Sequence, residues 1–185
     1  MSAFRLETAR LVLRPFRLSD AETFSRYRSD PAVALYQGWE APYSLEQARA
    51  FAAEMAAAQP GARGAWFQAA VELKAGEEMI GDCAFTLLAE DERQAEIGFT
   101  LAPAYQGQGY AAEAVARLLD YLFADLALHR VRANIDPRNR SSARLLEKLG
   151  LRFEGRWVDS LWFKGGWVSE DWYAILRDEW LDRSR

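Results

Sequence analysis

The chain has one cysteine and one histidine in 185 residues. A lone Cys83 cannot close an internal disulfide. One Cys and one His129 cannot build a His/Cys metal cluster. A Ser-His-Asp triad would have to use His129, and the sequence holds no Gly-x-Ser-x-Gly elbow. Hydrolase and metalloenzyme readings lose most of their support. Cys83 lies in a strand-like run, 79–85, where a free cysteine acts as a small buried hydrophobe. No apolar run approaches the ~20 residues of a membrane helix. The opening Met1-Ser2-Ala3-Phe4-Arg5 lacks a signal-peptide core. Positive charge is not in excess either. The formal net charge is −4, which argues against bulk nucleic-acid binding and against a polybasic membrane anchor. The expectation is a cytoplasmic protein without a metal, a nucleic-acid partner or a membrane partner. No pattern specifies an oligomeric state.

What is present suits a folded soluble chain, with half the residues hydrophobic. The length fits a single domain, 1–185, with a real core. Residues 11–17 read as a first strand, and Pro15 suggests an edge. Ser19 or Asp20 caps a helix over 20–28, which Asp30-Pro31 ends. Ser44 caps an alanine-rich helix running to Ala58. Strands at 65–73, 78–88 and 95–101 are joined by polar turns, as in an antiparallel meander. The spacing of Val115, Leu118, Leu119, Leu122 and Leu126 predicts a helix over 111–126 with one buried stripe. A strand at 130–136, a helix from Asn139 or Ser141 to Leu149, and aromatic-rich strands at 152–163 and 167–176 complete the chain. The fold class is α+β: a mixed, mostly antiparallel sheet flanked by about four helices. Residues 95–136 are the one place for a parallel pair.

The most informative stretch joins an extended run to an amphipathic helix through Gln106-Gly107-Gln108-Gly109-Tyr110-Ala111. Glycine lets successive amides turn to one side and lets a ligand approach the main chain. The helix that follows adds its positive end, and together they suit a pyrophosphate. A Gly-x-Gly turn is also a common tight connection. A P-loop would need Lys-Ser/Thr where Tyr110-Ala111 stands. A dinucleotide fingerprint could use Ala112 and Asp125. However, this loop follows at least two other strands and does not open a βαβ unit.

The second constellation is Asp136-Pro137-Arg138-Asn139-Arg140-Ser141-Ser142. Helix capping alone could explain Asn139, and Ser142 has a plain reading as a first-turn residue. From residue 129 to 156 there are eight Arg or Lys against three Asp or Glu. That balance fits a solvated basic face as well as an anion held by the glycine loop.

These two segments resemble the GCN5-related N-acetyltransferase (GNAT) family, most closely its ribosomal-protein N-terminal acetyltransferase-like branch. Gln106 to Ala111 matches the family's Gln/Arg-x-x-Gly-x-Gly/Ala motif. Asn139 to Gly150 resembles its Asn-x-x-Ser/Ala…Lys-x-Gly-Phe segment, with Leu151 and Phe153 where the aromatic normally follows. The opening Glu7-Thr8-Ala9-Arg10-Leu11-Val12-Leu13-Arg14-Pro15 and the closing Gly166-Trp167-Val168-Ser169-Glu170-Asp171-Trp172-Tyr173 also look like this branch. The resemblance spans nearly the whole chain. It implies a sheet splayed between the strands ending at Leu101 and starting near His129, with acetyl-CoA as cosubstrate in the cleft. The pyrophosphate would meet amides from Gln106 to Ala111. The pantetheine arm would run beside Phe99 and Leu101, with Asn139 opposite.

In many relatives a tyrosine seven residues after the asparagine acts as general acid. Here that position is Leu146, which leaves Ser142 as the nearest candidate. The implied reaction is acetyl transfer to a primary amine, such as a peptide N-terminus or a small molecule. Glu96, at the entry to the strand before the loop, is the candidate base, unless it serves only as an arginine's cross-strand partner. Trp39 and Trp162 are candidate walls for the acceptor, although core packing would also account for Trp162 and Trp167. Two other readings are a non-catalytic acyl-CoA-binding or sensor module, and a plain nucleotide-binding protein.

Overall fold

The computed structural model describes residues 4–183. Residues 1–3, part of the opening stretch read for a signal peptide, lie outside them, as do residues 184–185. The described strands form one eight-stranded sheet: β1 (Leu6–Glu7), β2 (Leu11–Pro15), β3 (Phe67–Leu73), β4 (Glu78–Leu87), β5 (Gln94–Leu101), β6 (Arg130–Ile135), β7 (Arg152–Phe163) and β8 (Gly166–Leu176). Their spatial order is β1-β2-β3-β4-β5-β6-β8-β7. Every neighbouring pair is antiparallel except β5 and β6. The helices are α1 (Ala21–Arg28), α2 (Pro31–Ala34), α3 (Leu45–Ala57), α4 (Tyr110–Asp120), α5 (Arg140–Lys148) and α6 (Arg177–Asp182).

Strand periodicity distributes the core over both faces of the sheet. Ala69 and Val71 of β3 pack into a cluster with Val115, Leu118 and Leu119 of α4. Ala70, between them, joins Phe24 of α1 and Ala48, Ala52 and Met55 of α3 on the other face. Cys83 is buried in the first cluster, and burial pushes its thiol pKa up, which leaves it inert. The α3 helix begins where Ser44 and Gln47 cap reciprocally, at 3.1 and 2.8 Å.

Several elements differ from the sequence expectation. Asp30-Pro31 does end α1, but Asp30 then caps α2, its side chain accepting from the Ala32 amide. Pro15 is not on the sheet's outermost strand, because the two-residue β1 pairs with Val12 and Leu13. That short pairing leaves Pro15 bonded to β3 alone, so its missing donor costs nothing. The helix expected to reach Leu126 widens after Asp120 into a π turn, in which Leu126 N–H bonds Tyr121 O. The C-terminal α6 docks by donating Trp180 Nε1–H to Asp120.

The parallel contact positions the site. β5 and β6 pair only at Gln94–Arg130, Ala95–Val131 and Glu96–Arg132. Beyond Glu96 the two strands separate, and the rest of β5 borders an open cleft.

Candidate active site

Two cavities meet in that cleft. The smaller, about 550 Å³, runs from Phe99, Thr100 and Leu101 of β5 to the loop before α4, and then along Ser142, Leu145 and Lys148 of α5. The larger, about 770 Å³, lies over Glu96, Gly98 and Thr100 and is walled by Trp39, Phe163 and Asp82. Both are lined by Tyr36, Gln37, Phe99, Thr100, Asn139 and Ser142. A ligand in one therefore abuts a ligand in the other at these residues.

The loop of the smaller cavity is built by its glycines. Gly107 and Gly109 have φ of 73° and 83°, the left-handed region that glycine enters without steric cost. The amides of Gly107, Gln108 and Gly109 donate to no backbone carbonyl among the described residues. The first amides of α4 have no intrahelical acceptor by the geometry of any helix start. Gln106 anchors the loop by donating to Leu101 O at 2.9 Å, and Arg10 donates to Gln108 O. Gln108 alone among the sequence-identified loop residues does not line the cavity; its side chain folds back onto Ala104 O. Arg144 and Lys148 bring positive charge to the same wall. This donor set fits a pyrophosphate.

Asn139 is both a cap and a wall. Its Oδ1 accepts from the Ser142 amide at 3.2 Å, and the residue borders both cavities. Ser142 is half-buried one turn on, also at the junction. Leu146 does not face the cleft. It is 0% exposed and belongs to the main core, so its phase on α5 keeps it out of any proton transfer. Leu145 lines the cleft instead.

Glu96 sits where β5 and β6 part. Arg132 contacts it twice, by Nε and by a terminal nitrogen, each at 3.0 Å and both at Oε2. The cross-strand pair read from the sequence is therefore present, and the residue still borders the larger cavity. Burial pushes its pKa up, and the Arg132 charge opposes that rise.

Trp39 forms part of the larger cavity's wall, held by its Nε1–H to Arg28 O at 3.1 Å. Trp162 is a correction. It is 60% exposed, packs edge-on against Trp167 and lines neither cavity. Core packing fails for both tryptophans, since Trp167 is 62% exposed. Alternation along β7 and β8 decides the matter: Leu161, Phe163 and Val168 line the cavity, so Trp162 and Trp167 point the other way. The hairpin tip is fastened over the cleft by Lys164 Nζ, which donates to Ala34 O and Trp39 O at 2.7 Å each. Arg28, Asp82 and Thr100 also line the site and were not singled out from the sequence. On paper they read as a helix end and two strand positions.

Comparison with known proteins agrees with this geometry. A family model described as "Acetyltransferase (GNAT) domain" matches residues 10–152. A solved GNAT-family acetyltransferase from Bacillus anthracis superposes with a TM-score of 0.84 and 32% identity, covering 95% of this chain and 100% of that one. The spermidine N(1)-acetyltransferase of Vibrio cholerae is 33% identical over 92 residues, 50% of this chain and 53% of its own. The [ribosomal protein uS5]-alanine N-acetyltransferase of Escherichia coli is 30% identical over 105 residues, 56% and 54%.

Proposed function

Because the chain belongs to the GNAT family of acetyl-CoA-dependent N-acetyltransferases, we propose that the smaller cavity takes acetyl-CoA and the larger one the amine. The observation that carries this reading is the merging of the two cavities at Phe99, Asn139 and Ser142, the smaller of them also lined by a loop suited to a pyrophosphate. Acetyl-CoA supplies an activated acetyl thioester. The chain's own residues orient it and manage protons. Amides of Gly107 to Ala111 hold the pyrophosphate end. The free edge of β5 at Phe99 and Leu101 aligns the arm, with Asn139 opposite. Glu96 draws the proton from the acceptor ammonium, and Ser142 Oγ donates toward the departing thiol. No covalent enzyme intermediate is needed, in keeping with the buried, inert Cys83. Leu146 lies in the core, so its lack of an acidic proton gives no reason to read the protein as a non-catalytic acyl-CoA sensor.

The acceptor is a primary amine of low pKa, such as a peptide α-amine. A single carboxylate already paired with an arginine is a weak base, and a weak base serves an amine near pKa ~7.8 better than one near ~10.4. The test is thiol release from acetyl-CoA across peptides with free N-termini, amino acids and polyamines. Turnover confined to lysine side chains or polyamines would contradict the α-amine assignment. Thiol release with no amine at all would contradict the enzyme reading.

Two substitutions examine the cofactor half. Gly109→Val is expected to weaken CoA binding about tenfold or more, ~1.4 kcal/mol, in a calorimetric titration. Gly76→Val is the control. It has the same left-handed strain, with φ +103° in a turn away from the cleft and open space around it. It should lose stability but keep CoA affinity. Ser142→Ala is expected to lower kcat by up to about tenfold, the range of one neutral hydrogen bond at ~0.5–1.5 kcal/mol, with CoA affinity nearly intact. An unchanged kcat would assign the thiol's proton to water or to the amine itself.

A further inference from the structure

Arg28 ends α1 and is 6% exposed. Its guanidinium lies 3.8 Å from the Trp39 ring centroid and 4.0 Å from that of Phe24, with Phe51 and Tyr43 at 5.0 and 5.2 Å. It makes no ion pair among the described residues, and its Nε is buried without a hydrogen-bond partner. It lines the larger cavity. A buried cation without a counter-ion is costly, yet this one is held in place. The negative end of α1 favours a cation there, the rings fix its plane, and Trp39 bonds its carbonyl.

The carboxylates of the same cavity are in the opposite condition. Asp82 accepts from Tyr27 and from Gln68, the latter at 2.5 Å. Glu96 is paired with Arg132 and Asp136 with Arg138. Glu170 accepts from Asn134 at 2.7 Å and from Ser160 at 3.0 Å. Burial raises the pKa of both Asp82 and Glu96, and Asp82 feels the Arg28 charge without forming an ion pair with it. Every acid of the cavity already has donors from the chain. Among the described residues of the cavity, the charge left without a counter-ion is a cation, and its planar fork suits a two-oxygen anion.

Resting on the acetyltransferase reading above, we propose that Arg28 anchors a carboxylate carried by the acceptor. The substrate is then an amino-acid-like amine: either a free amino acid or a peptide whose first residues are acidic. It is not a polyamine. Arg28 selects the acceptor by its charge, and the amine reaches the junction of the two cavities.

The test follows thiol release from acetyl-CoA with acceptors paired as carboxylate and carboxamide. Glycine and glutamate are set against glycinamide and glutamine. C-terminally amidated peptides beginning with Asp are set against the same peptides beginning with Asn, and spermidine is the polycation. The carboxylate member of at least one pair should have a kcat/KM about tenfold or more higher. The amino-acid and peptide arms then tell which source supplies the carboxylate. Arg28→Gln should abolish that preference by raising the acceptor KM, with CoA affinity unchanged. Arg28→Lys keeps the charge without the fork and should raise the same KM about threefold or more.

Equal use of carboxylate and carboxamide would overturn the proposal, as would preference for spermidine or a preference that survives Arg28→Gln. If Arg28→Gln fails to bind CoA because it does not fold, Arg28→Lys decides, and a wild-type acceptor KM in it overturns the proposal. Failure of the underlying reading looks different: CoA binds and no amine of any class releases thiol, which removes the Arg28 assignment with it.

Discussion

Arg14→Met is expected to lower the unfolding free energy by about 3–5 kcal/mol, or roughly 6–20 °C in Tm for a chain of this size. The Arg14 side chain is buried between β2, β3 and the start of α1. It makes a two-point pair with Asp20, 2.8 Å at each oxygen, and its Nε donates to Glu72 at 2.5 Å. Both carboxylates are buried with it. Removing the arginine leaves Asp20 with the Arg17 amide, and Glu72 with one contact from the exposed Arg17 side chain. Two largely uncompensated buried charges then oppose folding.

The arrangement also matters for function, because Asp20 sets the entry of α1, whose far end is Arg28. Thermal melts of Arg14→Met and of Arg14→Met/Asp20→Asn/Glu72→Gln separate the causes. The triple variant should recover much of the loss, since it removes the stranded charges along with the cation. A single variant within about 1 kcal/mol of wild type would show that water reaches this cluster and screens it.

The parts of the site legible in the sequence are those set by local backbone chemistry. Gly107 and Gly109 announce a loop that needs positive φ, and Asn139 announces a helix start whatever else it does. The parts that were not legible depend on where pairing stops and on which face a residue takes. No local signal says that β5 and β6 part after Glu96 and Arg132, because Ile97 to Leu101 remains a good strand sequence, paired to β4. Trp162 could not be told from Leu161 and Phe163, since the hairpin is apolar on both faces and its parity is fixed only by docking over the cleft. Spacing from Asn139 puts Leu146 at the tyrosine's position, but only the packing of α5 shows that it enters the core and that Leu145 lines the cleft. Arg28 and Asp82 carry no motif at all. Their meaning comes from the aromatic box and the strand that fold brings around them.

Glu96→Gln is expected to lower kcat/KM at pH 7 by about a hundredfold, within the usual range for loss of a general base. About sevenfold of that loss should return at pH 9, the gain in neutral amine for an acceptor of pKa ~7.8. The glutamine is isosteric and can still accept from Arg132, so the β5–β6 junction is preserved. Magnitudes distinguish the acceptors. Deprotonating an α-amine of pKa ~7.8 at pH 7 costs about 1.1 kcal/mol, against about 4.6 for a lysine-like amine of ~10.4. At pH 9 the α-amine is already neutral, whereas the lysine-like amine still costs about 1.9. A gain of about sevenfold between pH 7 and 9 therefore supports the base and an α-amine acceptor, whereas a gain near a hundredfold would point to a lysine-like amine.

The sign of the pH dependence follows from burial. Glu96 must be ionised to take a proton, and its pKa is raised, so the wild-type rate climbs as pH rises through that raised value. The Gln variant should lack this limb and follow the amine's ionisation alone. Replacing Arg132 with Gln removes the charge that holds Glu96 down and should shift the limb to higher pH. A loss in Glu96→Gln that stays constant from pH 7 to 9, with no movement of the limb in Arg132→Gln, would assign Glu96 to holding the strands together at the point where they diverge, and the proton would have to leave through water alone.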